Sequence, residues 1–424
     1  MRRIDRASAA ARCALALTWL LPADPIHAQA KESEPAALAL STALDRALAS
    51  HPGLVAVHHQ LAEREGEREQ AALLPNPQLD LTVEDFAGGG HFERFDSAET
   101  TLGISWVLEG HARRARVGSA EAGSALASAE GEIRRLEVAA DTAEHFLEGL
   151  AAQERLARAE AAIALAEQAV EAVGRRVRAG RAPRAELARA EAELATERLA
   201  RDDVTHELAT ARHRLAAQWG ATEPDFARVA GDLLTLPAVT SYDALVASLE
   251  GNPQLARYAS EERLARAHLR LAEARRWPAL RPSVGVRRHE ASDDFALVAG
   301  VSVPIPILNR GQGEIRGSRA SIARTRAEAD AARVRLRTTL FALYEELEHH
   351  FHRAETLREQ VIPRLAEALE GTRRGYERGR YGYSELRSVQ ADLLRAENEL
   401  LEASAGAHRL VVALERLTGE RITR

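Results

Sequence analysis

Four short stretches of the chain alternate apolar and polar residues with period two. Leu79, Leu81 and Val83 alternate with Asp80, Thr82 and Glu84, and Leu102, Ile104 and Trp106 alternate with Thr101, Gly103 and Ser105. Val284 and Val286 alternate with Ser283, Gly285 and Arg287. Phe295, Leu297, Ala299, Val301 and Val303 alternate with Ala296, Val298, Gly300 and Ser302. The pattern predicts strands over 78–86, 99–107, 282–289 and 295–303. Strands of about 8–10 residues, apolar on one side and small or polar on the other, suit a membrane β-barrel. They equally suit a small soluble sheet packed on helices. Four strands cannot close, and lipid does not tolerate open edges. The membrane reading therefore needs several chains sharing one barrel. In that barrel Leu79, Leu81, Leu102, Ile104, Val284, Val286, Leu297 and Val301 face lipid, and Ser105 faces inward.

The rest of the pattern is helical. No proline falls between Gly110 and Val173, a segment rich in Ala, Glu, Arg and Leu. A helix over 110–173 would be roughly 95 Å long at 1.5 Å per residue. Its counterpart over 313–371 is interrupted only by Pro363. Two more helices are predicted over 184–218 and 384–417. In the last, Leu386, Val389, Leu393, Ala396, Leu400, Ala403, Ala407, Leu410, Leu414 and Leu417 form an unbroken 3-4 seam. Rods of this length must lie side by side. A heptad seam alone fits an ordinary antiparallel bundle as well.

The chain repeats itself. His51-Pro52 answers to Asn252-Pro253, Gly180 to Gly379, Glu186-Leu187 to Glu385-Leu386, and Gly220 to Gly419. The last three pairs share one spacing of 199 residues. A period this long marks a duplicated half rather than a solenoid unit. The halves run over 31–222 and 223–424, each helix, two strands, long helix, turn, helix. The first-half seam keeps Leu187, Ala190, Leu194, Val204, Leu208, Ala211 and Leu215, but puts Glu197, Arg201 and Gln218 in the same register.

Composition adds to this picture. Aromatics are 4% and charged residues 28% of the 424 residues, a long-helix bias. The net charge of −6, from 57 basic and 63 acidic residues, argues against a nucleic-acid surface. Residues 1–30 read as a secretory signal peptide. Arg2, Arg3, Arg6 and Arg12 precede the apolar run Ala14–Leu21, and Ala28-Gln29-Ala30 is a small-x-small cleavage site. Cleavage leaves a net charge of −8 and removes Cys13, the single cysteine, so disulfides, thiolate chemistry and an acyl anchor are not expected.

Candidate chemistry is sparse. His349 and His352 sit one helical turn apart in His-His-Phe-His. They could share a metal ion, or form a solvated polar patch on the helix. Gly88-Gly89-Gly90-His91 is followed by no immediate helix and is read as a flexible loop rather than a phosphate cradle. No triad, P-loop or dinucleotide fingerprint is present, so neither an enzyme nor a cofactor is expected.

The signal peptide, duplicated halves, paired strands after Leu74-Pro75-Asn76-Pro77 and long heptad helices together resemble the TolC family of outer membrane efflux channels. The resemblance covers nearly all of 38–419. Tyr376-Glu-Arg-Gly379-Arg380-Tyr-Gly-Tyr-Ser-Glu385-Leu386 is similar to the family's turn, and Arg178-Ala-Gly180-Arg-Ala-Pro-Arg-Ala-Glu186-Leu187 is its first-half copy. Val303 to Gly311, with Asn309-Arg310-Gly311, resembles a stretch common in the heavy-metal branch typified by CzcC and CusC. The resemblance implies a mainly α homotrimer with a small membrane β part. Its shared twelve-stranded barrel sits in the outer membrane above a twelve-helix periplasmic tunnel. The implied partners are a periplasmic adaptor and an inner-membrane pump of the resistance-nodulation-division type. It also implies a gated tip at the two turns. Tyr376 and Arg380 would hold the closed state there by inter-helix hydrogen bonds or ion pairs. Glu385 would form a carboxylate ring, single because Ser388 stands where the family often has a second acid. The alternative role for Glu385 is a helix-terminus charge beside Ser384 as N-cap. Alternatives for the whole chain are a periplasmic coiled-coil adaptor or scaffold, or the same channel exporting drugs.

Overall fold

The computed structural model describes residues 37–420. The export segment expected at 1–30 lies outside the described residues. Strand β1 (Leu38–Ala39) leads into α1 (Leu40–Ser50) and α2 (Pro52–Ala72). Strands β2 (Gln78–Glu84) and β3 (Glu99–Ser105) follow, then α3 (His111–Arg178) and α4 (Arg184–Ala217). After β4 (Val229–Ala230) and α5 (Tyr242–Ser248) the order recurs: α6 (Pro253–Ala274), β5 (Arg281–His289), β6 (Asp294–Ser302), α7 (Gln312–Thr356), α8 (Ile362–Glu377) and α9 (Tyr383–Thr418).

The repeated dipeptides are helix starts. Pro52 and Pro253 occupy the first turn of α2 and α6, where a missing N–H costs nothing. His51 Nδ1 accepts from Gly53 N at 2.9 Å, and Asn252 Oδ1 accepts from Gln254 N at 2.8 Å. The helix ends match too. Gly220 and Gly419 adopt positive φ and bring their backbones against Pro52 and Pro253.

The element bounds differ from expectation where the backbone gives a reason. β2 stops at Glu84 rather than 86, because Asp85 and Ala87 turn with positive φ. β3 stops at Ser105 rather than 107, and beyond it Trp106 N and Leu108 N still bond Pro282 O at 3.1 Å and Leu280 O at 2.8 Å. α3 runs past 173 to Arg178, and the second long helix runs past 371 to Glu377, because both end only at the positive-φ glycines Gly180 and Gly379. Pro363 breaks nothing outright. It has no N–H for the ladder, and a π-turn over Leu357–Val361 absorbs the mismatch between α7 and α8.

α9 is more enclosed than its seam implies. Between Leu400 and Val411 it buries Leu401, Ser404, Ala405 and Gly406 as well as the seam positions. One side packs on Phe146 and Leu150 of α3, another on Leu340 and Leu347 of α7. The segment between α4 and α5 belts this region, with β4 pairing in parallel to β1. Gln153 of α3 clamps Val229 through both its amide atoms, at 2.7 and 3.0 Å.

Far from this belt, β2, β3, β5 and β6 form one antiparallel sheet in that order. Each half contributes a hairpin, and β3 joins β5 across the repeat. The register aligns Leu79, Ile104, Val284 and Ala299 in one row and Leu81, Leu102, Val286 and Leu297 in another. These rows lie on the same face. Rows Asp80–Gly103–Gly285–Val298 and Thr82–Thr101–Arg287–Ala296 lie on the other. Among the described residues β2 and β6 each have one strand neighbour.

Candidate functional site

Two regions hold most of the residues singled out in the sequence: the sheet, and the helical tip where α3 meets α4 and α8 meets α9.

On the sheet, period-two alternation brings the eight apolar candidates to one face. Leu79 is 75% and Leu297 85% exposed, and Leu81, Leu102, Val284, Val286 and Val301 are also exposed, while Ile104 is half-buried. So much bare apolar surface marks a face built to be covered. The opposite face carries the polar work. Arg287 donates to Glu99 at 2.5 Å, Glu84 at 3.3 Å and Thr101 at 3.0 Å. Ser105, only 5% exposed, donates to Asp80 at 2.8 Å. Among the described residues no helix is long and apolar enough to cross a membrane.

At the tip the two turns are copies. Gly180 N bonds Val177 O at 3.0 Å and Arg181 N bonds Arg176 O at 2.8 Å. Gly379 N bonds Tyr376 O at 3.0 Å and Arg380 N bonds Gly375 O at 2.8 Å. This is the Schellman closure, and it requires the left-handed glycine in each. The side chains of the two turns differ at most register positions, and one difference matters for packing, Arg176 answering to Gly375. Gly375 lets the Tyr381 ring lie on the backbone, where a Cβ would stand 2.2 Å from Cδ2. Arg176 instead reaches the second turn, donating to Tyr376 O at 2.8 Å with its guanidinium 4.4 Å from the Tyr376 ring centroid.

Tyr376 and Tyr383 are both buried in an apolar cluster with Val173, Ala190 and Leu386. Burial, then the neighbouring Glu193 carboxylate, pushes the Tyr383 hydroxyl up to about 12. Burial also raises Tyr376, whose hydroxyl has no hydrogen-bond partner of good geometry. Within one chain Tyr376 is held by its carbonyl and ring rather than through its hydroxyl, and Arg380 contributes its backbone N–H. Glu385 and Ser388 are exposed, and Glu186 is half-buried. Ser384 is not the N-cap of α9. The helix begins at Tyr383, Gly382 holds the capping position, and the Ser384 hydroxyl donates to Glu385 Oε2 at 3.2 Å.

His349 and His352 are exposed on α7, while His350 between them turns inward against Gly406. Among the described residues no group of three or more His, Cys, Asp or Glu side chains is placed to hold a metal ion. Asn309-Arg310-Gly311 is a helix entry. Asn309 Oδ1 accepts from Gly311 N at 3.0 Å, and Gly311 takes positive φ at the start of α7.

The sequence profile of the family described as "Outer membrane efflux protein" matches residues 43–221 and 244–420. The chain belongs to the outer membrane efflux protein family. Its fold is that of solved TolC-like channels. The outer-membrane channel OprN superposes with a TM-score of 0.74 at 18% identity, over 90% of this chain and 89% of that one. VceC of Vibrio cholerae gives 0.72 at 18%, over 90% and 96%, and CusC gives 0.71 at 16%, over 96% and 100%. In sequence, the cobalt-zinc-cadmium resistance protein CzcC of Cupriavidus metallidurans is 29% identical over 383 residues, 90% of each chain. The nickel and cobalt resistance protein CnrC of the same organism is 28% identical over 318 residues, 74% of this chain and 73% of that one. As a member of this family, the protein is an outer membrane channel with a periplasmic helical tunnel, an efflux component and not an enzyme. An adaptor or scaffold role is set aside.

The channel's tip holds residues that the sequence motifs did not single out. Arg176 was signalled only by its glycine counterpart in the repeat. Glu193 and Arg387, which pair across α4 and α9, sit at ordinary-looking polar positions, and no spacing rule brings them together.

Proposed function

We propose that the channel is a homotrimeric exit duct through which a periplasmic adaptor and an inner-membrane resistance-nodulation-division pump discharge heavy-metal cations. The observation that carries this reading is similarity to metal-resistance proteins over nine-tenths of both chains. Three copies joining β6 of one to β2 of the next give twelve strands and leave no open edge. The bare rows of Leu79, Leu81, Leu102, Ile104, Val284, Val286, Leu297 and Val301 then face lipid, and Arg287 with its carboxylates faces the lumen. The tip turns at Gly180 and Gly379 form the periplasmic end. Exposed Glu385 near the second turn lies where three copies would ring a narrow entrance with carboxylates, attracting cations. The metal is cargo here, and no resident cofactor is required.

Gene deletion tests the cargo. Loss of tolerance to cobalt, zinc, cadmium, nickel or copper is the expected outcome. Unchanged metal tolerance with lost tolerance to organic toxicants would establish the drug-exporting alternative instead.

A further inference from the structure

The seam that makes α9 apolar is broken in the first half. Glu197 of α4 occupies the register position of Ala396. It is half-buried, one helical turn from Glu193, whose side chain is 19% exposed. From the other repeat, Arg387 of α9 donates through Nε to Glu193 Oε2, and the Tyr383 hydroxyl lies 3.5 Å from the same oxygen. One guanidinium therefore faces two carboxylates. Desolvation first, and the Glu193 charge second, raise the Glu197 carboxyl above the usual range, with Arg387 pulling the other way. In the adjoining groove lined by α3, α4 and α9, Arg155 pairs with Glu402, Arg353 with Glu399 and Arg395 with Asp392. That leaves Arg158 of α3, whose Nε is buried without a partner.

We propose that Glu193, Glu197 and Arg387 form a proton-sensitive clasp between the two repeats, positioning α9 against α4 just behind the helical tip. The proposal rests on the reading of this chain as a gated channel. With Glu197 ionised, two carboxylates repel each other around one guanidinium. With a proton on Glu197, Glu193 holds Arg387 alone. Because Glu197 is raised in this arrangement, the clasped state is favoured in acid and loses that support as pH rises through the raised value. Lower pH keeps the tip closed, and rising pH loosens it.

The test compares full-length trimers in planar bilayers at the acid and alkaline ends of a pH titration. Wild-type opening frequency should be roughly two- to fivefold higher at the upper pH, the scale of one partly screened charge interaction. Glu197→Gln should abolish the dependence and stay at the acid level. Arg387→Gln should raise opening at both pH values. The double reversal Glu193→Arg with Arg387→Glu should restore closure, which a packing role would not do. Retained pH dependence in Glu197→Gln, or unchanged opening of Arg387→Gln in intact trimers, overturns the clasp. A wild type that forms no pores refutes the channel reading instead. The clasp is then tested by amide exchange in residues 190–197, corrected for intrinsic rates. It should quicken at the higher pH in wild type and not in Glu197→Gln, and the same quickening in both refutes it.

Discussion

Arg176 and Tyr376 lie 200 residues apart in the chain, yet the guanidinium of one caps the carbonyl of the other at 2.8 Å and lies 4.4 Å from its ring centroid. This contact ties the first-repeat turn to the second. A charged hydrogen bond contributes about 1.5–3 kcal/mol and a cation–π contact about 0.5–1 kcal/mol. Arg176→Ala should therefore free the second turn and raise single-channel opening and conductance. Arg176→Lys, which keeps the charge but loses the planar fork, should fall between. Equal conductance of all three proteins would mean the contact does not hold the tip.

The sheet face gives a sharper comparison. Ile104→Arg should block outer-membrane assembly, at about 2–4 kcal/mol for an Arg on the lipid side near the midplane. Ser105 is an unsuitable control, because it is buried and bonded to Asp80. Thr82, exposed on the polar face and separated from Arg287 only by Thr101 in its row, should accept Arg far better. Heat-resistant trimers from both variants in equal yield would reverse the assigned face.

Glu385→Gln should lower cation selectivity and multivalent block without altering trimer stability. Since Ser384 does not cap α9, the competing account reduces to a charge in the first helical turn, worth about 0.3–1 kcal/mol. Reversal potentials in a salt gradient, set beside melting of the trimer, separate the two.

Gly285→Ala should weaken the joint between the repeats. A Cβ there would stand 2.8 Å from the Leu102 carbonyl oxygen and 3.0 Å from Gly103 Cα, both backbone atoms of β3. Overpacking of this kind costs about 1–3 kcal/mol. The expected readout is less heat-resistant trimer in outer-membrane fractions, with the helical circular dichroism signal retained. Trimer yield equal to wild type would show that β3 and β5 can part without harm.

The architecture was legible because it is periodic. Alternation at Leu79, Leu81 and Val83 fixes a strand and its face, and the 199-residue spacing by itself aligns Gly180 with Gly379. What escaped was aperiodic. The π-turn before Pro363 looks in sequence like an ordinary helix with a proline in it. β1 and β4 are two residues each and carry no pattern at all. The pairing of Arg387 with Glu193 depends on which helices end up adjacent, and heptad positions do not state that. Ser384 was misplaced because it is the better capping residue by chemistry, while the chain had already entered the helix one residue earlier.

The two open edges, β2 and β6, have a genetic consequence. If each protomer completes its neighbours' sheets, a subunit with a damaged edge does not fail in private. Produced beside normal copies, it would be drawn into mixed assemblies and spoil them. Lesions in β2 or β6 should then behave as dominant, whereas lesions that stop the chain folding at all should be recessive.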